Sequence, residues 1–186
     1  MKKPNINLDF EKIKGGLILP TTIGAIVIFI GFLLNILLSL LSYMPIVGEM
    51  MALMGGIGGI ILSILGYLFF LLLFVWVGYR ASRKYHADVT TAGISAAFSY
   101  AILGVLNLML TLILTLLNVV GIIGYTALSP GVGGEQGDIA VALLGGATAG
   151  ITGILANLCC ALGLIPFGAL VNFVVGSIGG IIGAKK

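Results

Sequence analysis

The charged residues of this chain divide it into long uncharged tracts. Its fifteen Asp, Glu, Lys and Arg side chains fall in residues 2–14, at Glu49, in residues 80–88, at Glu135 and Asp138, and at Lys185 and Lys186. The four tracts between them are residues 15–48, 50–79, 89–134 and 139–184. Each far exceeds the roughly 18 apolar residues that indicate a membrane-spanning helix. The pattern therefore predicts an all-α integral membrane protein.

Composition excludes the water-soluble classes. Hydrophobic residues make up 60% of the 186 residues and charged residues only 8%, whereas a soluble globular domain carries about 25% charged residues. Within the first tract, the apolar run from Gly15 to Leu41 is too long for the core of a secretory signal peptide. We therefore expect a cytoplasmic N-terminal segment, residues 1–14, followed by a single transmembrane helical domain, residues 15–184.

The two halves of the chain share a repeated pattern that bears on the number of helices. Gly24, Gly31, Asn35 and Pro45 recur in the same order as Gly146, Gly153, Asn157 and Pro166. Because proline removes a backbone hydrogen bond inside a helix, both prolines are expected to mark hairpin turns. We predict a compact bundle of five helices, at about 16–42, 50–79, 90–118, 139–164 and 167–183, with repeated hairpins at 16–79 and 139–183. Four helices with a kinked last helix, or six, remain alternatives.

The basic residues predict the orientation in a cell membrane. Lys and Arg are enriched on the cytoplasmic side of membrane proteins, so the N-terminal lysines place the N-terminus inside. Arg80, Arg83 and Lys84 then mark a second inner loop, where they are expected to contact anionic lipid headgroups. Five helices would leave Lys185 and Lys186 outside. Since all these charges flank membrane segments, we expect the lipid bilayer and no nucleic acid as partner.

Each long helix carries one stripe of small and polar residues. The members are Gly24, Gly31 and Asn35; Gly55 and Gly59, a GxxxG pair; Gly104, Asn107, Thr111 and Asn118; and Gly146, Gly150, Gly153 and Asn157. Such stripes let helices approach closely in lipid. They could instead line a polar passage between the repeats, which is how inverted hairpins bind solutes in transporters. The absence of Asp, Glu, Lys, Arg and His from the four tracts argues against a proton-coupled pump.

Few residues suggest chemistry. Met50 and Met54 lie four residues apart and carry thioethers, which suit Cu(I), but no His or Cys tail accompanies them. Cys159 and Cys160 are adjacent and are expected to be buried small residues. His86 is the only histidine and cannot build a catalytic triad or zinc site alone. We therefore expect no enzyme activity and no cofactor.

One stretch of the chain resembles a known kind of protein. Pro45 and the paired glycines after it are followed by Gly78 and Tyr79 before the basic loop, and then by Ala92 and Gly93. Residues 40–105 thereby resemble small glycine-rich polytopic membrane proteins of archaea and bacteria whose function is unknown. The resemblance implies a multi-pass cell-membrane protein and supplies no catalytic residue.

Together these observations favour a multi-pass structural or interaction subunit. We expect it to form a homo-oligomer or to join other membrane subunits. The alternative is a channel or carrier for a small solute or ion, with copper as a variant.

Overall fold

The computed structural model describes residues 10–42, 45–128 and 136–185, and it describes side chains for residues 10–38, 61–117 and 152–185. The described residues form four α-helices and no strand: α1 is Phe10–Ser42, α2 is Pro45–Tyr85, α3 is Val89–Leu128 and α4 is Gln136–Ala184. Each contains a stretch long and apolar enough to cross a membrane. The predicted all-α, multi-pass membrane class is therefore confirmed.

The prediction of five helices was wrong, because α4 continues through Pro166 where a second hairpin was expected. A proline inside a helix removes one amide donor and crowds the preceding turn, but apolar helix-forming residues on both sides can carry the helix past it. Pro20 lies inside α1 in the same way. Pro45 differs because it is the first residue of α2 and follows the end of α1 at Ser42. A break between α1 and α2 thus falls at Pro45, whereas residues 139–183 belong to one continuous helix.

The chain packs as two compact units. Unit 1 comprises Met1–Gly104 and Ile165–Lys186, and unit 2 is Val105–Leu164. The core of unit 1 contains Leu73, Phe74 and Val77 of α2 together with Ala96 and Leu103 of α3. Residues of α1 and α4 complete it: Ala25, Ile28 and Val175 pack against this cluster. All four helices therefore contribute to the interior of unit 1.

The turn between α2 and α3 depends on one residue with a left-handed backbone. His86 has a φ of 50° and is the one non-glycine residue with a positive φ in the described part of the chain. The Ala87 amide donates to the carbonyl of Ala81 at 3.1 Å, and Ser82 Oγ donates to the carbonyl of Ala87 at 3.2 Å. These bonds close the end of α2 and direct the chain into α3.

Substitutions at His86 should reflect this conformation. We expect His86→Gly to leave stability unchanged or raise it by up to about 1 kcal/mol, and His86→Val to lower it by about 1–2 kcal/mol, because a β-branched side chain is disfavoured at positive φ. Thermal unfolding in detergent, followed by circular dichroism, measures both. At Lys84, which is helical, the order should reverse, with glycine the worse residue. The same order at both positions would contradict the prediction.

Candidate functional sites: the glycine interface and the basic end

The last turns of α4 pack on α2 and α3 through glycines. A Cβ added at Gly179 would press on the backbone of Val75 and Tyr79, and one at Gly183 would lie 2.8 Å from the carbonyl oxygen of Tyr79. One at Gly180 would lie 2.8 Å from the Cβ of Ala92 on α3. Such separations are well inside van der Waals contact, so these helices approach as closely as their backbones allow.

Glycines on the neighbouring helices complete the contact. Gly78 of α2 faces the backbone of Gly176, and a Cβ at Gly93 of α3 would lie 2.8 Å from the carbonyl oxygen of Phe173. No described glycine has a positive φ, so close approach, and not backbone conformation, requires glycine here. We call this set the glycine interface: Gly78, Gly93, Gly176, Gly179, Gly180 and Gly183.

Helix α1 joins the bundle through its own small residues. A Cβ at Gly16 would lie 2.7 Å from the Cβ of Ala81 on α2. One at Gly24 would lie 2.7 Å from Cδ1 of Leu103 on α3. In lipid, where apolar side chains gain little by leaving the bilayer, this kind of close packing is what holds helices together.

The polar side chains inside unit 1 are hydrogen-bonded. Thr21 Oγ1 of α1 and Ser99 Oγ of α3, both buried, lie 2.7 Å apart. The buried Ser95 donates to the carbonyl of Thr91 at 2.8 Å. These hydroxyls therefore bond to each other or to their own helix within unit 1.

The Thr21–Ser99 bond can be measured with a double-mutant cycle. We expect Thr21→Val and Ser99→Ala to couple by about 0.6 kcal/mol, and by at most about 1.7 kcal/mol, the range found for hydrogen bonds between membrane helices. Unfolding in mixed micelles gives the four free energies that the cycle needs. Additive effects of the two changes would show that the bond contributes no stability.

In the structure, some residues of the predicted stripes pack against another helix and others do not. In unit 1, Gly24 packs as above, and a Cβ at Gly104 would lie 3.3 Å from Ile165. Gly31 has open space around its Cα among the described side chains. Asn35 is exposed, and its amide donates to the Gly31 carbonyl at 3.0 Å. This half of the α1 stripe therefore faces away from the described bundle.

In unit 2 the stripe residues mostly bond within their own helices. Thr111 Oγ1 donates to the carbonyl of Asn107 at 2.8 Å, and Thr115 Oγ1 to that of Thr111 at 2.9 Å. A Cβ at Gly153 would lie 3.9 Å from the Thr115 methyl group, which is ordinary contact. Asn107 is exposed and Asn157 half-buried. Predictions at Gly55, Gly59, Asn118, Gly146 and Gly150 lie outside the described side chains.

Sequence reasoning missed the tightest contacts. None of the four α4 glycines belongs to a predicted stripe, although their spacing of three, one and three residues puts them on one helical face. Thr21, Ser95 and Ser99 were not singled out at all. What marks them is the burial of a hydroxyl against a neighbouring helix. A helical wheel of one helix does not show which of its faces meets a neighbour.

The basic residues gather at one end of unit 1. Gly15 of α1 faces the ring of Tyr85 at the end of α2, and Gly183 of α4 faces Tyr79 and Ser82. The start of α3 is also here, since Val89 lies against Gly180. We call this the basic end. It carries six of the nine Lys and Arg residues of the chain: Lys12, Lys14, Arg80, Arg83, Lys84 and Lys185.

The three basic residues predicted to meet lipid have different surroundings. Arg83 Nη1 donates to the hydroxyl of Tyr79, and its guanidinium lies 5.5 Å from the centre of that ring. Lys84 Nζ lies 5.9 Å from the centre of the Tyr85 ring. Arg80 is half-buried. Its Nε is buried and has no hydrogen-bond partner among the described residues.

The remaining candidate chemistry finds little support. Cys159 and Cys160 are exposed free thiols, so the prediction that they are buried was wrong; they lie on an outer face of α4. The side chains of Met50 and Met54 lie outside the described set. Across the described ranges no group of three or more His, Cys, Asp or Glu residues is placed to hold a metal ion.

Comparison of the chain with protein-family models, with curated proteins and with solved structures gives no match. Function must therefore be argued from the packing and charges of the chain itself.

Proposed function

We propose that this chain is a non-catalytic structural or interaction subunit of a cell membrane, working as a homo-oligomer or with other membrane subunits, with its N-terminus in the cytoplasm. The observation that carries the proposal is the solid interior of unit 1. Val77 and Ala96 are completely buried, with Leu73, Phe74 and Leu103 around them. A bundle filled in this way acts as a scaffold.

The outer surface of the bundle supports a role in the bilayer. Large apolar side chains such as Ile26, Leu34 and Leu72 are each at least half exposed. In water such a surface would aggregate, whereas lipid or another apolar helix covers it at no cost. The uncovered Gly31 and Asn35 on α1 add small and polar groups through which a neighbouring helix could pack.

A second candidate function, a channel or carrier for a small solute or ion, draws on unit 2. There Asn107 is exposed and Asn157 half-buried within apolar helices. Amides at such positions are costly in lipid unless they meet a partner or water. Substitution of these two residues therefore distinguishes the two functions.

The experiment compares wild type with Asn107→Leu and Asn157→Leu. Purification in a mild detergent, followed by light scattering and native mass spectrometry, gives the stoichiometry; solute flux into sealed proteoliposomes gives transport. The subunit proposal expects a defined assembly larger than one chain that the substitutions weaken, with no flux above empty vesicles. Ile113→Leu, an exposed apolar change in unit 2, is the matched control. A monomeric chain whose flux is abolished by the Asn changes would overturn it.

A further inference from the structure

Two cationic side chains share one side of α2, and a third lies near the start of α1. Arg80 and Lys84 are four residues apart and so share a face of α2. Ala81 and Tyr85, next to them in sequence, pack on Gly16 and Gly15 of α1.

Lys12 precedes Gly16 by one turn and lies on that same side of α1. Helical register therefore brings Lys12, Arg80 and Lys84 to the α1–α2 edge of the basic end. Arg83 also lies on this side of α2, about 60° from Arg80, but its guanidinium is already bound to the hydroxyl of Tyr79.

Arg80 has the property that points to a ligand. Its Nε is shielded from solvent without a hydrogen-bond partner in the described part of the chain. An unpaired donor on a charged group is unfavourable when buried, so such atoms normally have an acceptor. The Nε–Nη edge of arginine presents two parallel donors that match two oxygens of a phosphate group.

The membrane side of Arg80 fits a lipid. Trp76 lies one turn deeper in α2 and is 38% exposed, with Leu72 and Phe69 exposed below it. These residues and Arg80 lie on neighbouring parts of one helical face. A tryptophan at the interface with apolar residues beneath it is where the upper part of an acyl chain rests.

We propose that Arg80 binds the phosphate of one anionic phospholipid at the α1–α2 edge, with Lys12 and Lys84 attracting its net negative charge and one acyl chain lying along Trp76, Leu72 and Phe69. The ligand chemistry is a phosphodiester with an additional negative charge relative to a zwitterionic lipid, such as phosphatidylglycerol. This site does not depend on whether the chain is a subunit or a channel.

The single tryptophan of the chain makes the proposal measurable. Trp76 fluorescence is quenched by lipids whose acyl chains carry bromine, so quenching in proteoliposomes of mixed lipid reports which lipid lies beside it. We expect brominated phosphatidylglycerol to be preferred over brominated phosphatidylcholine by about fivefold or more, the effect of one cationic side chain near the surface. Arg80→Gln removes the cationic partner and should lose most of that preference, because both lipids carry the phosphodiester and differ in net charge.

A substitution at Arg83 is the matched control for the one at Arg80. Arg83→Gln makes the same change on the same helix and should keep most of the wild-type preference. Equal quenching by the two lipids in wild type, an unchanged preference in Arg80→Gln, or equal losses in both variants would each overturn the proposal. Inorganic phosphate, added to detergent-purified protein, should raise the unfolding temperature less than phosphatidylglycerol does; an equal rise would assign the site to a free anion instead of a lipid.

Discussion

Gly179→Ala should lower the free energy of unfolding by about 2–3 kcal/mol, the usual cost of overpacking a close-packed site. The added methyl group would meet the carbonyl group of Val75 and, at 3.0 Å, the amide nitrogen of Tyr79. Both are backbone atoms of α2, which cannot turn aside as a flexible side chain can. The two helices must therefore separate along the whole glycine interface. Unfolding by denaturing detergent, followed by circular dichroism, measures the change.

Gly66→Ala is the matched control, since Gly66 lies in α2 with no described atom within 4 Å of an added Cβ. There the same methyl group should leave stability unchanged or raise it by up to about 1 kcal/mol, because alanine is the better helix former. If Gly179→Ala and Gly66→Ala gave the same stability, the close approach of α4 to α2 would be refuted. A loss at Gly179 alone would mark this interface as the element that holds α4 in the bundle.

The glycine interface also explains why unit 1 can be built from so few polar groups. Membrane helices gain little from burying apolar surface, so dispersion contacts between backbones must supply the attraction. Glycine allows more such contacts for each turn of helix than any other residue. The buried Thr21–Ser99 bond then fixes how α1 sits on α3, since the two hydroxyls meet in only one register.

Charge and hydropathy were enough to predict the helical class and three breaks between helices, whereas the five-helix prediction placed Lys185 on the side opposite the other residues of the basic end. A tract without charges that is long enough to span lipid has few alternatives to a helix, because its backbone groups must bond internally. A break before Pro45 was predictable as well, because proline favours the first turn of a helix.

Pro166 and the α4 glycines could not be interpreted from the sequence alone. The repeat pairs Pro166 with Pro45, but it does not indicate that Leu162 to Ile165 continue a helix, whereas α1 ends at Ser42 and α2 begins at Pro45. Helical periodicity likewise gives the direction in which a glycine points, and not which neighbour it meets. Gly31 and Gly179 look alike in the sequence, yet only Gly179 contacts another backbone.

The change from five helices to four has a consequence for the membrane topology. Five membrane-spanning helices would place Lys185 and Lys186 on the side of the membrane opposite the N-terminal lysines. This would go against the tendency of basic residues to remain in the cytoplasm. With four, both termini lie on one side, in keeping with the packing of Gly15 and Gly183 around the end of α2. We therefore expect the N-terminus, the loop after Tyr85 and the C-terminus all to be cytoplasmic.

Cysteine labelling in intact cells tests this directly. In a background with Cys159→Ser and Cys160→Ser, we expect Asn5→Cys and Lys186→Cys to react with a membrane-impermeant maleimide only after permeabilisation, because in sequence they precede α1 and follow Lys185. Glu135→Cys, in the connection between α3 and α4, should react in intact cells. Labelling of Lys186→Cys alone in intact cells would restore an odd number of spans, and with it the inverted hairpins on which the carrier hypothesis was first based. Labelling of neither terminus would instead favour the scaffold, since an even bundle has no inverted repeat to form a solute site at the midplane.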